Sequence, residues 1–247
     1  MANLAIDIGN TLTKIAVFQQ NDLVHFEHAP DTDAQTLLQL IDKFGVTKAI
    51  ISSVRKRVET WQEAVESKIE VQYFNVNMTG GVKNQYKSPK TLGIDRLAAV
   101  IAAHRLYPGK NSLVIDAGTT ITYDHVDAGG NYFGGSISPG LNMRYRALNY
   151  YTGALPLLEA DDQFNEDFGY DTASAIRSGV QNGLKYELLG FIESYRAKVP
   201  ELNIILTGGD GIFFDTVLKN SIFAPYVKIE PYLVLKGLNA AIQTTND

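Results

Sequence analysis

Two aspartates in this chain, Asp7 and Asp116, each end an apolar run and are each followed by glycine and hydroxyl side chains. The stretches are LAIDIGNTLTK over 4–14 and LVIDAGTTIT over 113–122, and laid over one another they read L-x-I-D-x-G-x-T-x-T. A carboxylate ending a buried strand is costly unless something pairs with it. The glycine lets the next strand double back and lets backbone amides approach a ligand closely. Asn10-Thr11 and Thr119-Thr120 add amide and hydroxyl donors, so each hairpin can cradle a phosphate in a nest of backbone groups. Each aspartate can hold Mg²⁺ through water, or another cation, and Lys14 can neutralise phosphate charge. Two such hairpins facing one another would grip a nucleoside triphosphate from both sides. Taken singly, either copy reads equally well as a plain turn, where Asp, Gly, Asn and Thr are common. The matched pair, followed by LTGGDG over 206–211, favours the phosphate reading.

A third candidate is Asp95-Arg96 at the start of IDRLAAVIAAHRLY (94–107), a segment apolar on nearly every helical face and so expected to be buried. In the first turn of a helix the macrodipole favours an anion. Arg96 is a planar fork suited to a carboxylate. The bland alternative is an N-terminal helix charge pair. Walker and GxGxxG motifs are absent, which leaves the P-loop and dinucleotide routes unsupported. Four scattered histidines (His25, His28, His104, His125) show no metal-ligand spacing, and the chain has no cysteine.

Positioning these residues takes a large core, and 247 residues suffice for one domain or two. Net charge −5 implies no basic face for nucleic acid. No run reaches the ~20 apolar residues that span a bilayer, and the N-terminus lacks a signal-peptide layout. A strand pattern begins by residue 4, so no removed segment is expected, and the location expected is cytoplasmic.

Strand patterns fall at 3–8, 12–19 and 22–28, followed by an amphipathic helix near 33–43, a strand at 49–53, a surface helix over 57–68 around Trp61 and a strand at 70–76. After a polar loop (77–91) and the buried helix, strands recur at 112–117, 120–126 and 131–137. Helices are expected near 140–149, 172–196, 212–219 and 232–243, with a strand before the 206–211 turn. The same order twice predicts two homologous α/β domains, 1–110 and 111–247, meeting at a cleft. GGSISPG (134–140) is assigned no chemistry. Ala175, Gly179 and Gly183 recur every four residues, which predicts close packing inside the subunit or across a dimer. Val180, Leu184, Leu188 and Phe191 add an apolar side beside them.

Duplicated D-x-G-x-T hairpins with a late Gly-Gly turn resemble the actin-like (ribonuclease H-like) ATPase superfamily, with a nucleotide cleft between duplicated domains. Within it, DIGNTLTK (7–14), LGIDR (92–96), DAGTTIT (116–122) and GGSISPG (134–140) resemble the signatures of type III pantothenate kinases. ALNYYTGALP (147–156) and DTASAIRSG (171–179) match later blocks. The resemblance implies ATP-dependent phosphorylation of pantothenate to 4′-phosphopantothenate, the first step of coenzyme A biosynthesis. It implies that Asp7, Ile8, Gly9, Asn10, Thr11, Leu12, Thr13 and Lys14 hold ATP phosphates and Mg²⁺, with Thr119 also on ATP. It makes Asp95 the general base and puts Tyr86, Gly93, Ile94, Arg96 and Thr172 on pantothenate, with Thr172 reaching it from the partner chain of a homodimer. It links Asp116 to a required monovalent cation, K⁺ or NH₄⁺. Two features depart from the family: Ser88-Pro89-Lys90 stands where an Asn-Pro pair is common, and the region near LTGGDG is shorter than the adenosine-binding part of sugar kinases. The residues alone leave open a kinase for a sugar or short acid, or a non-enzymatic ATP clamp.

Overall fold

A computed structural model describes residues 2–9, 11–55, 59–199 and 201–244. The chain forms two compact units: Met1–Gly109 with Gly129–Phe133 and Tyr232–Asp247, and Lys110–Ala128 with Gly134–Pro231. Two segments that the sequence reading put in the second domain, Gly129–Phe133 and Tyr232–Asp247, therefore lie with the first unit.

The first unit is built on β1 (Ala2–Ile8), buried along its whole length. Its continuous apolar run fits a central strand covered on both faces. β2 (Thr13–Gln19) pairs with it antiparallel, and β3 (Asp22–Ala29) lies outside β2. The helix α1 (Ala34–Phe44) carries the chain over to the other side of β1. Asp33 caps its start by accepting the Thr36 N–H at 2.8 Å, and Gly45 ends it in the left-handed conformation at φ 61°. β4 (Val46–Ser53) then runs parallel to β1, and after the short α2 (Gln62–Glu66) comes β5 (Glu70–Tyr73), parallel to β4. The order is β3-β2-β1-β4-β5. The expected surface helix over 57–68 is corrected here: α2 has five residues, and Trp61 is 2% exposed, packed in the core with Leu37, Ile41 and Val65. Residues 57 and 58 lie outside the described residues. A two-residue strand, β6 (Lys83–Asn84), precedes α3 (Ile94–Leu106), which buries residues 96–103 without a break, as its sequence predicts.

The second unit repeats the plan. β7 (Asn111–Ala117) is central, β8 (Thr120–Val126) is antiparallel to it, and β9 (Asn131–Pro139) follows, its first residues pairing with β6. Next come α4 (Leu141–Tyr151), α5 (Thr172–Arg177) and α6 (Gly183–Lys198). A π turn over Ser178–Asn182 joins α5 to α6, so the helix expected over 172–196 is continuous but widened in its middle. β10 (Leu202–Thr207) is parallel to β7, α7 (Gly211–Lys219) follows, and β11 (Val227–Ile229) is parallel to β10. The order β11-β10-β7-β8-β9 mirrors the first sheet strand for strand.

The last helix, α8 (Leu233–Thr244), packs in the first unit against α3 and the β1-β4 face. Gly237 makes this possible: a Cβ there would sit 1.8 Å from the Ala98 carbonyl oxygen, so only glycine lets the two backbones approach so closely. Asn3 and Asn239 are both buried; the Asn3 amide donates to Asn239 Oδ1 at 3.0 Å, and the Asn239 amide donates to the Gln20 carbonyl at 2.7 Å. Among the described residues no helix is long and apolar enough to cross a membrane.

Candidate functional site: two aspartate hairpins

In the first unit β1 delivers Asp7 to the end of the sheet, 7% exposed. The antiparallel register sets Lys14 directly opposite it, and the parallel register sets Ser52 opposite it on the other side. Paired residues project to the same face of a sheet, so a carboxylate, an ammonium and a hydroxyl share one spot. The Gly9 N–H closes the turn on the Leu12 carbonyl at 3.0 Å. Ile8 and Thr13 are buried, Leu12 and Lys14 half-buried, and Thr11 exposed at the turn. Asn10 lies outside the described residues.

Burial pushes the Asp7 carboxyl up to about 6; the Lys14 charge and the Ser52 hydroxyl pull it down, and the negative charge of Asp95 pushes it up further. Asp7 and Asp95 are thus electrostatic neighbours although 88 positions separate them. Asp95, half-buried, lies in the first turn of α3, where its Oδ1 accepts the Arg96 N–H at 2.9 Å. Gly93 caps that helix with Ile94 as its first residue, and a Cβ on Gly93 would come within 2.6 Å of Asp95 Oδ1. Arg96 is buried, its guanidinium 5.7 Å from the centre of the Tyr86 ring, which stacks on Tyr132 at 6.4 Å. The structure therefore brings Asp7, Lys14 and Asp95 together, and separately Tyr86 with Arg96. Ser52 and Tyr132 were missed by the sequence reading. Ser52 became visible only through strand register, since nothing local marks it.

In the second unit Asp116 occupies the position on β7 that Asp7 holds on β1. Thr122 and Thr207 stand opposite it, and Thr207 is buried as Ser52 is. A hydroxyl residue on the neighbouring parallel strand thus accompanies both aspartates. The turns differ by one residue: Gly118 N–H bonds the Thr120 carbonyl, whereas Gly9 reaches Leu12. That extra residue is why Lys14, aligned in sequence beyond the template, comes to face Asp7. Thr119 is exposed at the tip.

Two later glycines enclose this second turn. A Cβ on Gly140, the residue before α4, would meet the Gly118 and Thr119 carbonyl oxygens at 2.3 and 2.5 Å. Gly208, at φ 100°, would meet the Ala117 carbonyl oxygen at 2.2 Å, and the Asp210 N–H donates to that same oxygen at 2.9 Å. So GGSISPG, assigned no chemistry from sequence, buttresses the hairpin through its last glycine. Gly140→Ala is expected to displace the 118–119 turn, costing about 1–3 kcal/mol of stability, as overpacking does. Thermal melts check this; an unchanged melting temperature would show that the turn gives way harmlessly.

Thr172 is the exposed first residue of α5, behind the capping box made by Asp171 and Ser174. Two members of the small-residue stripe face open space, since Cβ atoms on Gly179 and Gly183 would meet nothing within 4 Å, whereas Ala175 lies against Gly169. The apolar side beside the stripe packs inside the unit, through Val180, Leu184 and Leu188.

Two α/β units with one strand order, each ending its central strand in an aspartate beside a hairpin, define the actin-like ATPase fold. Solved structures agree. The activator of 2-hydroxyisocaproyl-CoA dehydratase from Clostridium difficile matches with TM-score 0.56 at 12% identity, over 100% of this chain and 96% of that one. A ROK family protein from Streptococcus pneumoniae matches with TM-score 0.53 at 14% identity, over 100% and 99%. Residues 3–194 match the type III pantothenate kinase family, and the chain belongs to it. The type III pantothenate kinase of Bacteroides fragilis is 44% identical over 99% of this chain and 98% of its own length, and that of Flavobacterium johnsoniae is 42% identical over 90% and 91%.

Proposed function

We infer that this chain transfers the γ-phosphoryl group of ATP to the hydroxyl of pantothenate, forming 4′-phosphopantothenate, the first step of coenzyme A biosynthesis. The observation that carries the residue roles is the convergence of Asp7, Lys14 and Asp95 in the first unit. Asp95 orients the pantothenate hydroxyl and takes its proton. Lys14 and the amides of the Gly9 turn receive phosphate oxygens, as does Thr119. Tyr86 and Arg96 form one binding surface for the pantothenate, the guanidinium suited to its carboxylate, with Gly93 and Ile94 setting the helix start beside it.

The donor set fits Mg²⁺. Asp7 is a buried carboxylate raised by burial and by the negative charge of Asp95, and the Lys14 charge offsets this only in part. Among the described residues no group of three or more His, Cys, Asp or Glu could hold a metal. Mg²⁺ commonly takes only one or two carboxylates and completes its shell with phosphates and water. Bound there, the ion supplies charge neutralisation to the phosphates. Asp116 beside Thr207 is the proposed holder of K⁺ or NH₄⁺, removing repulsion between a carboxylate and triphosphate. The expected result is ATP consumption with pantothenate but not with a panel of sugars and short acids, and little activity in sodium-only or Tris-only buffer. Equal turnover of a sugar would overturn the substrate, and full activity without potassium or ammonium would overturn the cation.

The enzyme is further proposed to act in the cytoplasm as a homodimer in which Thr172 reaches the partner's pantothenate. Supporting this, the second unit exposes Tyr150, Tyr151, Phe168, Tyr170 and Tyr186 at 60–82%, aromatic side chains of the kind enriched at protein interfaces. Mixing inactive Asp95→Asn and Thr172→Arg proteins under subunit exchange should restore partial activity, because both lesions then fall in one site of each mixed dimer. No recovery despite confirmed exchange would rule out the shared site.

A further inference from the structure

Beyond its sheet pairing, the outgoing end of β4 grips the first hairpin residue by residue. Ser52 stands opposite Asp7; the Val54 N–H donates to the Ile8 carbonyl at 3.1 Å; the Arg55 Nε donates to the Gly9 carbonyl at 2.9 Å. Arg55 is well held for this task. Its own N–H donates to Ser53 Oγ at 3.1 Å, and that hydroxyl donates to the Arg55 carbonyl at 3.2 Å. Its guanidinium lies 3.4 Å from Asp31 and 3.8 Å from Glu59, and the side chain is only 16% exposed.

These carboxylates compensate the charge, so the guanidinium's distinctive contact is directional: its Nε–H ends on the backbone oxygen of the glycine in the turn. A charged donor on a carbonyl is roughly twice as strong as a neutral hydrogen bond. The turn's own closing bond, Gly9 to Leu12, runs across the hairpin, so from this side Arg55 adds to the Val54–Ile8 bond on the residue before Gly9. We propose that Arg55 is a positioning residue for nucleotide: by holding the Gly9 carbonyl it sets the shape of the turn that receives phosphate, without touching phosphate itself. This rests on the reading of the first hairpin as a phosphate site.

The test compares Arg55→Ala, Arg55→Lys and Lys14→Ala in the full-length enzyme. Loss of one charge-assisted hydrogen bond predicts a KM for ATP raised about tenfold or more in Arg55→Ala, with the KM for pantothenate within about twofold of wild type. Arg55→Lys, which keeps a charged donor and the balance with Asp31 and Glu59, should fall between, and it carries the test if the alanine variant fails to fold. Added methylguanidinium should lower the raised KM of Arg55→Ala, a rescue that a purely structural defect would not give. If both Arg55 variants keep the wild-type KM for ATP while Lys14→Ala raises it, the positioning role is wrong and the hairpin reading stands. If Lys14→Ala is also unchanged, the hairpin reading falls and the Arg55 role falls with it. Equal rises in both KM values without rescue would likewise overturn it.

Discussion

Asp95→Asn is expected to leave the fold intact and remove most turnover. The side chain sits at the start of α3, half-buried, and its one described hydrogen bond comes from the N–H of the next residue. An amide oxygen can accept that bond equally well, and the adjacent core residues 96–103 are untouched. Folding therefore loses little. The amide cannot take a proton, and losing a positioned base typically costs about 10²–10⁴ in rate. The decisive comparison is kcat with pantothenate beside a thermal melt. A wild-type kcat would make Asp95 structural, and a collapsed melting temperature would mean the rate says nothing about its chemistry.

Asp7→Asn should also abolish activity, yet yield a nucleotide-free protein more stable than wild type at pH 8. The carboxyl is raised from 3.8 to about 6, chiefly by burial. A group raised on folding contributes stability that is complete below its unfolded value and lost as pH climbs through the folded one. Wild type should therefore weaken between about pH 4 and pH 7, while the variant, with nothing to ionise, should not. Two units correspond to roughly 3 kcal/mol at most. That shift already includes the attraction of Lys14, so the gain expected is about 1–3 kcal/mol, or several degrees in Tm for a chain of this size. Melts of both proteins across pH 4–8 give the answer. A variant that melts below wild type at pH 8 would show that ionised Asp7 stabilises the fold through Lys14 and Ser52.

The hairpins, the buried α3 and the doubled strand order were legible because each writes a local signal: an apolar run, a glycine, an uninterrupted apolar helix. Lys14 was readable as a cation near the turn, but not as the residue facing Asp7, because that depends on a turn one residue longer than its copy. Ser52 and Thr207 stayed invisible for a related reason: pairing across parallel strands joins residues 45 and 91 positions from their aspartates, and register is set by tertiary packing. Trp61 was misread since a lone aromatic among polar neighbours resembles a surface position. The open space beside Gly179 and Gly183 likewise could not be told from close packing by spacing.

The placement of α8 has a consequence for the order in which the molecule matures. During synthesis the first unit's strands emerge early, but the helix that covers β1 and β4 and seats Gly237 on Ala98 is made only after the whole of Lys110–Pro231. Domains generally fold as units as they leave the ribosome. The second unit can thus complete its core while the first still exposes one face of its sheet. The nascent chain carries that apolar face for the time needed to add more than a hundred residues, which at about 5–20 residues per second is of the order of ten seconds. The half of the protein begun first is finished last, and the Asn3–Asn239 bond, spanning 236 positions, records that closure.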